Sequence, residues 1–235
     1  CSDTTTPAKF HTFLGHLDED PHQINSMEFR ADFRVELRYD DGRTRLIPFL
    51  SLPISDLAPD FFPLTCKTCV DYTNVLADIT VGYMAGQGDQ WVIVRNARGA
   101  EILAGLGDQI LLNDVGDTGK RSGAVKGFIT NTERAAGGLP LRRMPNWVRP
   151  IVSWLQPRIG PKGREFARAR LEMKAAETIL HLRRAAPSKM KNMVPQHVWD
   201  IAAPYDLTPT ASEVSSSLGQ KYSGGDAEGG GGNAP

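Results

Sequence analysis

Residues 65–86 read TCKTCVDYTNVLADITVGYMAG, and what Cys66 and Cys69 bind decides what kind of chain this is. Three positions apart, two thiols match the spacing of redox disulfides, zinc knuckles and iron–sulfur ligands. A thioredoxin-type pair opens a helix after a strand, whereas Cys66 follows DFFPLT and precedes what reads as a strand. Zinc needs a second ligand pair at a matching distance. His11, His16 and His22 lie far upstream of these cysteines, and His181 and His197 far downstream. A cluster needs four thiolates as a rule, and the chain has three cysteines: Cys1, Cys66 and Cys69. Because it begins at Cys1 rather than at a methionine, it reads as a portion of a longer protein, with room for a fourth ligand elsewhere. Two structural thiols with no ligand are the bland alternative. Spacing alone leaves all of these open.

Upstream of the pair, FRADFRVELRY (Phe29 to Tyr39) alternates Phe33, Val35, Leu37 and Tyr39 with charged residues. That period of two predicts a strand with one buried face. Asp40-Asp41-Gly42 supplies a turn and RTRLIPF a return strand. Downstream, DITVGYM and WVIVR predict a second β unit around AGQGD, with Asn96 to Gly99 as a turn into a strand at AEIL and a short edge segment at Leu106 to Leu112. Gly116 to Gly138, rich in Gly, Thr, Lys and Arg, reads as an irregular loop.

After Pro145 the pattern turns helical. Prolines break Asn146 to Gly163 into short pieces, and Phe166, Leu171, Met173, Ile179 and Leu180 repeat at helical spacing between Gly163 and Arg184. Another short helix is expected over Pro195 to Ala203. The fold expected is α+β: mixed or antiparallel sheet with hairpins in the first half, and helices from the second half packed on it. Residues 1–203 make one region and 204–235 a tail, Ser- and Gly-rich from Ser212 on, whose composition predicts disorder.

The 27 basic residues balance 27 acidic ones, which argues against nucleic-acid binding through a basic surface. No apolar run is long enough to span a bilayer, and three cysteines do not make a secreted disulfide framework. GDTGKR (Gly116 to Arg121) lacks the Walker spacing, and Gly86 and Gly88 lack the third glycine of a dinucleotide fingerprint. Such a glycine pair between strands can still let backbone approach a planar ligand. Trp91, Trp147, Trp154 and Trp199 read as core. Arg164, Arg168, Arg170, Arg183 and Arg184 read as a solvated helix face, or else as a docking patch for an acidic electron carrier.

The residues that follow the cysteines carry more. CKTCVDYTNVLADITVGYMAG resembles the C-terminal region of the beta-subunit family of the coenzyme F(420)-reducing hydrogenases, and within it the photosynthetic branch. Cys66, Cys69, Asp71, Tyr72, Thr73, Asn74, Leu76, Ala77, Asp78, Val81, Gly82, Tyr83 and Met84 match that family's run. IPFLSLPISDL before it, VRNARGAEIL after it, GPKGREFARARLEM at Gly160 to Met173 and CSDTTTPAKFHTFL at the start are similar in the same order. Thr4 and Thr5 stand where the family has Asn-Gly.

The resemblance implies an enzyme carrying FAD and 4Fe-4S clusters. Such an enzyme takes electrons from ferredoxin and reduces a chlorophyll-type tetrapyrrole at a 7-hydroxymethyl group or, alternatively, at an 8-vinyl group. A plastid is the implied location, or a cyanobacterial cytoplasm; a non-catalytic electron-transfer module is the remaining alternative. It also implies that Cys66, Cys69 and Cys1 are cluster ligands, and that Thr73, Asn74, Asp78, Gly82, Gly86, Gly88 and Arg95 lie near the flavin. Asn and Thr suit flavin ring edges, and arginine suits phosphate.

Overall fold

The computed structural model describes residues 4–58, 60–82, 90–113, 116–135 and 144–214. In its first part, helix α1 (Pro7–Gly15) packs on an antiparallel sheet of β1 (Ile24–Phe29), β2 (Arg34–Tyr39) and β3 (Thr44–Pro48), with β2 central. Thr6 starts α1 by accepting the Lys9 N–H on its side-chain oxygen, and Pro7 supplies a fixed φ at the first position. As the alternation predicts, Val35 and Leu37 are fully buried, against Phe13 and Leu14 of α1 and Ile47 of β3.

The expected single strand is in fact two. Arg30 to Phe33 turns the chain from β1 into β2: the Arg30 N–H donates to the Arg34 carbonyl at 2.8 Å, and Phe33 takes a φ of 64°. A bulky residue in that region is held there by its surroundings. Here the Phe33 ring meets Phe166 edge to face, 5.1 Å away, linking the sheet to the helical half. The polar face of β2 holds a second surprise. Glu36 is buried between Arg30 (2.6 Å) and Arg38 (2.7 Å), and those two guanidiniums, Arg38 first, hold its carboxyl below the usual range.

The middle of the chain forms α2 (Leu64–Lys67), the two-stranded pair β4 (Ile79–Val81) and β5 (Val92–Val94), and α3 (Ala97–Gly105). The strand expected at AEIL is therefore a helix, because Asn96 caps it and commits the following residues to helical geometry. Leu106 to Leu112 forms no strand: it holds a 3-10 turn at Gly107–Gln109 and leaves Leu111 and Leu112 exposed. Nothing from Thr73 to Leu112 enters either large core among the described residues.

In the second half, β6 (Asp117–Thr118) and α4 (Arg121–Arg134) are followed by α5 (Val148–Ile159), β7 (Lys162–Gly163), the long α6 (Arg164–Ala185), α7 (Met190–Met193) and α8 (Gln196–Ala202). β6 pairs with β7, which sets the start of α4 beside the start of α6. The second core gathers Val125 and Ile129 of α4, Ala176, Ile179 and Leu182 of α6, and Met190, Val198 and Trp199. Residues 204–214 belong to it rather than to a tail. Tyr205 and Leu207 are buried, and Glu213 grips Arg183 at 2.9 Å, which holds its carboxyl down at about 2. Residues 215–235 lie outside the described residues.

Gly116 to Gly138 is thus not an irregular loop over its middle. Val125, Ile129 and Thr132 form an i, i+4, i+7 stripe that packs on α6. Tertiary burial overrides the poor propensity of a segment containing Gly123 and Gly127. A Cβ added at either glycine meets nothing within 4 Å. Gly123→Ala and Gly127→Ala are each expected to stabilise the protein by about 0.5–1 kcal/mol, read as a raised midpoint in denaturant. A lowered midpoint for both would show that these glycines serve packing after all.

Candidate functional site

The cysteine pair sits where a short helix is forced to stop. Pro63 starts α2, and the Cys69 N–H returns to the Cys66 carbonyl at 3.4 Å, so that the two cysteines lie on one tight turn. Cys66 is buried and Cys69 half-buried, and both are free thiols. The Thr4 N–H donates to the Cys66 sulfur at 3.4 Å, and the Thr5 hydroxyl donates to the Phe61 carbonyl at 2.7 Å. The two threonines that depart from the family pattern therefore dock the start of the chain against the cysteine turn. Cys1 itself lies outside the described residues. From the other side, the fully buried Thr178 of α6 donates its hydroxyl to the Cys69 carbonyl at 3.0 Å.

One turn further along α6, burial and then the Lys67 charge push the His181 imidazole below its usual pKa, and its Nε2 is buried without a partner. Among the described residues no third Cys, His, Asp or Glu joins the two thiols into a metal-sized group. The turn thus holds two free thiols side by side, Cys66 buried and Cys69 half-buried.

The signature that follows opens as a loop and runs into β4, where the strand expected at DITVGYM forms over Ile79–Val81. The Asp71 carboxylate accepts the Val75 N–H at 2.6 Å and the Asn74 carbonyl accepts the Ala77 N–H at 2.9 Å. Asn74 makes the bend with a φ of 52°, in the left-handed region that asparagine tolerates. This aims the Thr73 carbonyl inward, where it accepts from the Thr80 hydroxyl at 2.8 Å and from Nη2 of Arg95. The Arg95 N–H donates to the Asp78 carbonyl at 3.0 Å, while its side-chain Nε is buried with no partner. Asp78 in turn accepts from the Asn96 amide at 2.7 Å and faces Arg98 at 3.6 Å. Asn96 accepts the Gly99 N–H at 2.9 Å, capping α3. Gly99 permits this junction, since a Cβ there would lie 2.4 Å from the Asp78 carbonyl oxygen.

Thr73, Asp78 and Arg95 are therefore brought together, in roles the sequence does not announce. Thr73 contributes its carbonyl rather than its hydroxyl, and Asp78 is bound to the helix cap. Asn74 presents an exposed side chain at the bend. Gly82, at φ 116°, donates its N–H to the Trp91 carbonyl at 3.0 Å and closes the β4–β5 pair. Gly86 and Gly88 lie outside the described residues. Sequence reasoning missed Thr80, Gly99 and Thr178. A glycine three residues after an asparagine was the available sign of a capped, closely packed helix start.

Of the Trp residues expected in the core, Trp199 is buried, whereas Trp147 and Trp154 are 73% and 59% exposed. The arginines of α6 are only partly a solvated face. Arg183 binds Glu213 and stacks 5.3 Å from the Trp199 ring, and Arg168 pairs with Glu165.

A family model for the C terminus of the coenzyme F(420) hydrogenase/dehydrogenase beta subunit matches residues 1–115, which hold both cysteines and the whole Asp71–Gly99 network. The 7-hydroxymethyl chlorophyll a reductase, chloroplastic, of Oryza sativa subsp. japonica is 31% identical over 217 residues, 88% of this chain and 46% of that protein. A Nostoc sp. protein is 33% identical over 208 residues, 88% of this chain and 51% of its own length. The chain spans about half the length of these relatives. With its cysteine turn and signature loop in the order the resemblance requires, the chain belongs to the coenzyme F(420) hydrogenase/dehydrogenase beta-subunit family, whose C-terminal region its residues 1–115 form.

Proposed function

We propose that the chain is the C-terminal part of a plastid reductase that takes electrons from ferredoxin and reduces the 7-hydroxymethyl group of a chlorophyll to a methyl group. Two electrons and two protons are consumed and water leaves. The observation that carries this reading is local. Two free thiols on one turn lie directly before a loop gripped by an arginine whose Nε is buried and unpaired, in a chain similar along 88% of its length to a reductase of that name.

Cys66 and Cys69 would be two thiolate ligands of a 4Fe-4S cluster, and Cys1 a candidate third. FAD fits the loop through the Arg95 Nε, an orphan donor suited to a phosphate or a ring carbonyl, with the exposed Asn74 amide beside it. Bound there, the cluster supplies single electrons and the flavin pairs them for a two-electron reduction. The chain's own part is to fix the thiolates through Thr4 and Thr178, and to hold the loop so that the Arg95 donor does not turn to water.

The test is anaerobic turnover of the full-length protein with reduced ferredoxin, offering the 7-hydroxymethyl pigment and the 8-vinyl pigment separately. Consumption of the hydroxymethyl pigment with water formed is the expected result. Conversion of the vinyl pigment alone, or a purified full-length protein with no flavin absorbance and no iron, would overturn it.

A further inference from the structure

Helix α5 stands apart from every other helix of eight residues or more among those described, because none of its residues is buried. It packs against the Phe49–Ser51 turn. Trp147 at its start, Ile151, Trp154 and Arg158 recur at steps of four, three and four, which places them on one line down a helix. Trp147, Ile151 and Trp154 are all more than half exposed, as is Ile159 beyond them. The Arg158 guanidinium lies 4.1 Å over the Trp154 ring and donates to the Trp154 carbonyl, so the line ends in a cation laid along an indole. Over Met144 to Arg164 the sequence holds Arg149, Arg158, Lys162 and Arg164 and no acidic residue, although the chain as a whole is neutral. Arg158, Lys162 and Arg164 are exposed.

We propose that α5 docks the protein on an anionic bilayer surface, lying in the interface with Trp147, Ile151 and Trp154 in the headgroup region and Arg158, Lys162 and Arg164 facing the lipid phosphates. Indole rings with apolar bodies and one polar N–H settle at that depth. A helix of this length lies along a membrane and does not cross one, and no described helix is long and apolar enough to cross. The one-sided charge selects the occupant. An acidic protein patch presents a few carboxylates at fixed positions, whereas an exposed apolar line that ends in Arg158, with the exposed Lys162 and Arg164 following it in sequence, suits a surface that is apolar below and uniformly negative above. The proposal is independent of the reductase reading, and its test needs neither cofactor nor turnover.

The experiment is flotation of the full-length protein with vesicles of phosphatidylcholine alone and of phosphatidylcholine containing about 30% phosphatidylglycerol. Binding is expected only to the anionic vesicles, and it should weaken strongly when ionic strength rises to about 0.5 M. Trp147→Ser with Trp154→Ser should reduce partitioning roughly tenfold or more. Lys162→Gln and Arg164→Gln should each reduce it roughly fivefold. The folded state is checked by circular dichroism, and a brominated lipid should quench the wild type more than the tryptophan double variant. Several outcomes overturn the proposal: no flotation, flotation equal on neutral vesicles, or flotation that survives the tryptophan substitutions. So does a stripe that proves occupied by protein, seen as a change of oligomeric mass in the Trp variants or as burial of α5 by the rest of the full-length chain.

Discussion

Gly99→Ala is expected to break the junction between the signature loop and α3. The added methyl would sit 2.4 Å from the Asp78 carbonyl oxygen and 3.1 Å from the Ile79 side chain. The first of these is backbone, so neither rotamer change nor side-chain drift can relieve it. The helix start must retreat, and with it go the Asn96 bonds to Asp78 and to the position 99 N–H. The Arg95 N–H bond to the Asp78 carbonyl is strained by the same shift. In an exposed helix interior, Gly to Ala gains up to about 1 kcal/mol. Here overpacking and the lost cap outweigh that gain, for a net cost of roughly 2–3 kcal/mol. Gly105, at the other end of the same helix, has nothing within 4 Å of its Cβ position, so Gly105→Ala is the matched control and should be neutral or stabilising. The measurement is amide hydrogen exchange across residues 78–99 together with the denaturation midpoint of each variant. On the proposed FAD site, the flavin content of full-length Gly99→Ala should fall with the protection. Equal behaviour of the two variants would show that the close approach at Gly99 carries no weight.

The same residues show how far the sequence could be read. The alternation of Val35 and Leu37 gave away the sheet because burial of one face needs only local periodicity, and the Asp40–Gly42 turn followed from turn chemistry. The long α6 was legible for the same reason. Where periodicity was short or propensity poor, tertiary contact decided. AEIL is an apolar run too short to separate strand from helix, and Asn96 settles it through a bond three residues ahead. The Val125, Ile129, Thr132 stripe of α4 was hidden among Gly, Ser, Thr and Asn residues that read as loop. At the site, the cysteine spacing and the family run were visible, but Thr80 and Thr178 were not. A threonine hydroxyl acquires its role only when the fold brings a carbonyl 7 or 109 positions away within reach. Trp147 and Trp154 misled because tryptophan is usually buried; exposed in pairs, it reports a surface with a use.

On the proposed ligand assignment, Cys66→Ser is expected to abolish cluster assembly in the full-length protein while leaving the fold intact. The thiol occupies a closed position, 8% exposed, where its sulfur accepts the Thr4 N–H. Serine is slightly smaller and keeps an acceptor for that N–H, so no cavity of consequence opens and no backbone donor is orphaned. What it removes is the sulfur the proposed cluster would take as a ligand: an alkoxide is not available near neutral pH, and a hydroxyl is a poor ligand for iron that prefers sulfur. Cys69→Ser should act alike on iron and differ in cause. Its carbonyl still accepts from Thr178, so the turn stays anchored to α6 and only the more accessible of the two proposed ligands is lost. For both variants, iron and acid-labile sulfide per chain should drop by about tenfold or more, with the far-ultraviolet circular dichroism and the denaturation midpoint close to wild type. Full cluster content in either variant would remove that cysteine from the ligand set. Loss of the fold along with the iron in Cys66→Ser, but not in Cys69→Ser, would instead make the buried thiol a packing element and leave Cys69 as the sole ligand on the turn.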